Sequence, residues 1–302
     1  MAQLPSRERT LDGQSTQQHY DTIMTLNRVL ATTSAVLGLA ACGGRGPNAP
    51  SPTTYAWPDA FSYLVEFVSE SRADTSVVAR YEERKALRFE VRDERFLVWH
   101  DSVIKESLVP GRPPALEPLE PEDTLRYYVS LGRRGEIGAV EPGCDPAVPA
   151  CREVLPSRLP LELRRLVPAL PVWEPPLGST WEDTLVFDDT PRARGQRGSV
   201  VTVYRVVGDT AIAGTPMWIV SWRSIRRTFV PVRGFAGLAV GVPVEERGSV
   251  YVDQQRKLPV FVMWAGGAAA PGNLRALGVT STGYRGRAYL AGSVVEQVLS
   301  PE

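Results

Sequence analysis

Histidine is almost missing from this chain of 302 residues, which has only His19 and His100. That scarcity excludes His-rich metal centres, and the HExxH pattern of a zinc protease does not occur. A Ser-His-Asp or Cys-His arrangement would have to use His100. His100 shares one face of an alternating run with Phe96 and Val98 and reads as a structural residue. No Gly-x-Ser-x-Gly elbow accompanies it. Lysine is as rare, at 85, 105 and 257, so arginine carries nearly all the positive charge. With 34 cations against 34 anions there is no basic excess for nucleic acid to bind. Cysteine is limited to Cys42, Cys144 and Cys151. Two cysteines without a nearby histidine make half a zinc site at best, and Gly234, Gly237 and Gly241 lack dinucleotide spacing. The sequence thus calls for no metal and no cofactor.

Long apolar runs are also lacking. A spanning helix needs about 20 apolar residues, whereas Val29–Ala41 offers 13, broken by Thr32, Thr33 and Ser34. Glycines and prolines from Gly43 onward stop any helix there. One cation (Arg28), an uncharged segment, and two small residues before a cysteine are the layout of a secretory signal. Leu39-Ala40-Ala41-Cys42 resembles a bacterial lipobox. The resemblance implies that Cys42 becomes the first residue of a bacterial lipoprotein, acylated and held on the membrane of the cell envelope. Gly43-Gly44 lacks the Asp of an inner-membrane retention signal, so the outer membrane is the expected address. Met24 is the expected start, which makes 1–23 a non-native or disordered extension and 24–41 the signal peptide. Residues 42–54, rich in Gly, Pro and Ser, read as a flexible tether, and 55–299 as a single β domain. Cys144 and Cys151 close a small loop with two prolines, and an oxidising compartment favours a disulfide between them.

From Phe61 onward the dominant period is two, the signature of half-buried strands. Phe61, Tyr63, Val65 and Phe67 face one way, as do Leu87, Phe89 and Val91 further on. Asp93-Glu94 and Gly132–Gly135 read as hairpin turns. Residues 141–178 form an irregular Pro-rich crossover in which Ser157 caps a helix through Leu166, with Leu159, Leu163 and Leu166 on one face. A second β block begins at Trp181. In it Gly208-Asp209 reads as a turn, Ala265–Gly272 as a loop and Val294–Leu299 as a strand. The fold class is therefore mainly β: an antiparallel, strongly curved sheet or half-open barrel with little helix. This layout, over residues 55–299, is similar to the lipoprotein-carrier (LolA/LolB-like) superfamily of envelope proteins.

Seven tryptophans are present. Trp218, Val220 and Trp222 share a face, and with Tyr251 or Trp264 on neighbouring strands they form a candidate wall for an apolar ligand. Ordinary core packing is the other reading. Arg223, Arg226 and Arg227 make a basic cluster, either a solvated face or a seat for phosphate or carboxylate. The leading expectation is a non-enzymatic, lipid-anchored envelope protein that binds an apolar ligand or envelope component in a β groove. A structural or protein-interaction lipoprotein with a filled core, and an acid-dependent hydrolase, stay open beside it.

Overall fold

The computed structural model describes residues 54–144, 158–188, 197–231, 239–269 and 280–299. The extension, the signal segment, Cys42 and the tether up to residue 53 lie outside them, as does Cys151. The strands are β1 (Ala60–Ala73), β2 (Ser76–Arg92), β3 (Arg95–Leu108), β4 (Ala115–Leu116), β5 (Arg126–Leu131) and β6 (Ile137–Pro142), then β7 (Thr180–Asp188), β8 (Arg197–Ile212), β9 (Thr215–Pro231), β10 (Ala239–Asp253), β11 (Leu258–Ala269) and β12 (Ser281–Leu290). Three helices accompany them: α1 (Pro121–Thr124), α2 (Arg158–Leu166) and α3 (Val294–Leu299). All strands join one sheet in the order β6-β5-β3-β2-β1-β12-β11-β10-β9-β8-β7, with β4 on β3. Every pairing is antiparallel, and the sheet nearly closes into a barrel with one seam. The mainly β, strongly curved architecture expected from the alternation is the one observed.

Local chemistry explains the hairpins. Asp93 and Glu94 both have positive φ, at 49° and 65°, and link the paired Arg92 and Arg95. That is the mirror-image two-residue turn whose twist matches the strands. Ala213 and Gly214 do the same between Ile212 and Thr215. Gly208-Asp209 is not the turn expected there. The strand runs through it, and the register shifts between Val206 and Gly208, the bulge that an isolated strand glycine often marks. Ala265–Ala269 likewise belongs to β11 rather than to a loop. Val294–Leu299 is a helix, not a strand. Ser293 Oγ accepts the Glu296 amide at 3.3 Å, and the Glu296 carboxylate accepts the Gly292 amide. This Ser-x-x-Glu cap outweighs the strand preference of Val294-Val295.

The inner face is layered along the barrel axis. One row around the wall is apolar: Val206, Val220, Val250, Val262, Ala288 and Val65 are consecutive register partners. The next row alternates aromatic and small residues: Tyr204, Trp222, Gly248, Trp264, Gly286 and Phe67. The row beyond is polar, with Asp183, Thr202, Ser224, Glu246, Gly266 and Tyr284.

In the middle row each indole lies across the glycine of the adjacent strand. A Cβ on Gly248 would meet the Trp222 ring, and one on Gly286 the Trp264 ring. Gly286→Ala should therefore destabilise the protein by about 1–3 kcal/mol, the usual cost of overpacking. Gly283→Ala in the same strand, where the added methyl meets nothing within 4 Å, should stay within about 0.5 kcal/mol of wild type. Urea denaturation followed by tryptophan emission reads both.

Candidate functional site: a concave face closed by a helix

Trp218, Val220, Trp222 and Trp264 all point to the concave side, as the alternation of β9 and the pairing of β9 through β11 require. Tyr251 does not. It pairs with Ile219 and Phe261, its ring centroid 5.5 Å from that of Phe261, and so belongs to the convex face. It is therefore removed from the candidate groove wall. The arginine cluster is divided by the same alternation. Arg223 points outward and makes a two-point pair with Glu245 at 2.9 and 3.0 Å, while Arg226 points inward.

The groove is occupied. Trp218, Trp222 and Trp264 are each more than nine-tenths buried, in one cluster with Leu159, Leu163 and Leu166 of α2. Contacts to inner-face residues of β2, β3, β7 and β10 place α2 on the concave side. Its Arg-Leu-Pro-Leu-Glu-Leu-Arg-Arg-Leu sequence explains its seat. Leucines at helical spacing turn to the core, and three successive polar positions reach different parts of the wall.

Glu162 lies between Lys85 Nζ at 3.1 Å and His100 Nε2 at 3.0 Å. Arg164 pairs with Asp183 at 2.9 Å and donates to the Gly135 carbonyl. Arg165 grips Glu246 with two hydrogen bonds, of 3.0 and 2.5 Å, and the Tyr284 hydroxyl donates to the same carboxylate. Burial pushes the Glu162 carboxyl up, but Lys85 and His100 override it and hold it well below the usual carboxylate range. Glu246 is depressed in the same sense: burial raises it, and the Arg165 guanidinium outweighs that.

The chain that leaves α2 is pinned. The Tyr55 hydroxyl donates to the Pro168 carbonyl at 3.0 Å, the Trp181 indole to Ala169, and the Leu170 amide to Arg134. Between α2 and β8–β10 is a pocket lined by Leu161, Arg164, Arg165, Val200, Thr202, Trp222, Ser224, Arg226 and Glu246. Its free space is about that of one water molecule.

The leucine spacing of the helix was legible in the sequence, but its position inside the barrel was not. The run Glu162-Leu-Arg-Arg165, flanked by leucines, is the one signal that could have shown it. Among the described residues no group of three or more His, Cys, Asp or Glu side chains could hold a metal ion. The buried Asp123, Glu162 and Glu246 each face a cation, which gives the hydrolase reading no support.

No family model matches the chain, and no curated protein matches it in sequence. Among solved structures, it is similar to lipovitellin, in a study of its lipid–protein interactions, at 10% identity and a TM-score of 0.31. That overlap covers 80% of this chain but only 25% of lipovitellin, so this chain spans about a quarter of that protein's length. It is also similar to the hypothetical lipoprotein YmcC from Escherichia coli, at 9% identity and a TM-score of 0.24, covering 76% of this chain and 84% of YmcC. Overlaps this loose carry neither protein's ligands over to this chain.

Proposed function

We propose that this protein is a lipid-anchored component of the bacterial cell envelope that binds an apolar ligand inside its barrel, and that α2 is the plug of the unloaded state. Acylated Cys42 holds it on the outer membrane, and residues 42–54 form the tether. The observation that carries the reading is that the tryptophan-bearing concave face is closed by a separate helix, from the crossover between β6 and β7. Such a helix can leave without breaking a sheet ladder. Its ionic contacts also favour release, because ions freed by opening regain hydration and a buried pair is rarely worth more than apolar packing of equal volume. A disulfide between Cys144 and Cys151 belongs to the same proposal. It would fasten the start of the crossover, beside the Gly143 amide that donates to the Arg126 carbonyl.

One observation favours a second reading, a structural or protein-interaction lipoprotein: the interior is filled as it stands. Titration with methyl oleate separates the two. A carrier shows saturable quenching of tryptophan emission, and Leu163→Ala binds more tightly than wild type although it loses about 2–5 kcal/mol of stability. The same stability loss with no saturable quenching in either protein would leave only the interaction reading.

A further inference from the structure

The pocket under α2 holds one positive charge more than it neutralises. Three guanidinium groups converge there, Arg164, Arg165 and Arg226. Of the carboxylates, Asp183 is taken by Arg164 and Glu246 by Arg165 with Tyr284. Arg226 has no acid of its own among the described side chains, and its buried Nε finds no acceptor. The Trp222 indole N–H, in the same pocket wall, is buried and equally unpaired. Two orphaned donors, one charged, are costly to keep dry unless an acceptor arrives.

We infer that this pocket seats the anionic head of an amphiphile, a carboxylate or phosphate monoester on an acyl chain, held by the Arg226 guanidinium and the Trp222 indole N–H. The inference rests on the proposed apolar-ligand function and adds the ligand's charge and orientation. Orientation follows from the layered wall. Arg226 neighbours the polar row of Ser224 and Glu246, while Val220, Val250 and Val262 line the far side of the indole row. A chain laid along that gradient buries its methylenes against valines and brings its head to the arginine. A planar guanidinium suits both oxyanions because it donates two parallel hydrogen bonds. With α2 in place the pocket is too small for either head, so the head takes the space vacated by Leu161 and Arg165.

The test compares oleate, oleoyl lysophosphatidate, methyl oleate and inorganic phosphate on the full chain, by tryptophan quenching and native mass spectrometry. The two anionic amphiphiles should bind about tenfold or more tighter than methyl oleate, the worth of one charge-assisted hydrogen bond. Which of them binds tighter identifies the head. Arg226→Gln should bring both down to the methyl ester and leave the methyl ester unchanged, and Arg226→Lys should keep part of the preference. Equal binding of oleate and methyl oleate by wild type would overturn the head-group assignment and leave the apolar-ligand reading standing. So would a preference that survives in Arg226→Gln, or binding of inorganic phosphate as tight as that of the amphiphiles. Failure of every amphiphile to bind would remove both.

Discussion

The Glu162→Ala variant is expected to unfold about 3–5 kcal/mol more easily than wild type at neutral pH, as removing one partner of a buried ion pair does. Alanine leaves Lys85 facing His100 with only Glu83, 2.7 Å from Lys85 Nζ, to offset the charge. Replacing the pair by apolar residues, Glu162→Leu with Lys85→Met, should recover most of the loss. The pH dependence has a definite sign. Because the folded carboxyl titrates below its ordinary range, its contribution is complete above the unfolded carboxylate pKa of about 4.3. It is lost as pH falls from there toward the folded value, since the unfolded chain then binds a proton the folded chain refuses. Glu162→Gln should flatten that acid limb. Urea midpoints measured between neutral and acid pH check it, and a Glu162→Ala protein within about 0.5 kcal/mol of wild type would mean that the helix is not seated through this contact.

The second large effect is cellular. Cys42→Ala should move the protein out of the membrane fraction, as a soluble or unprocessed species, because stable attachment needs about two lipid signals and the lipobox supplies them at one residue. Fractionation with immunoblotting measures it. Recovery of Cys42→Ala in membranes at the wild-type level, with the signal removed, would sink the lipid-anchor reading.

Much of the wall was legible in the sequence, because a period of two survives in every long strand. Tyr63, Val65, Leu87, Phe89 and Val98 were assigned to the core face and are buried there. Long strands were harder to see whole. β3, β8 and β9 each read as shorter pieces, since Gly208, or Ser102 with its positive φ, looks like punctuation although it marks a bulge. The C-terminal helix was missed because β-branched valines outweighed a capping signature in the reading. Tyr251 was misplaced for a simpler reason: the side of a strand is fixed by register with its neighbours, and register is not written in one strand alone. Arg226 was visible as part of a basic run. Its separation from Arg223 needed only the alternation already used for Trp218 and Trp222.

A barrel closed all the way round has a girth set by its strand number and shear. Here the eleven strands of the main path make ten ladders and no eleventh, so the girth is adjustable. A small change of twist at each ladder opens the circumference while every interstrand hydrogen bond is kept. Such a container widens gradually to the thickness of what enters it, and one chain can accept acyl groups of different bulk without any new contact being designed for each.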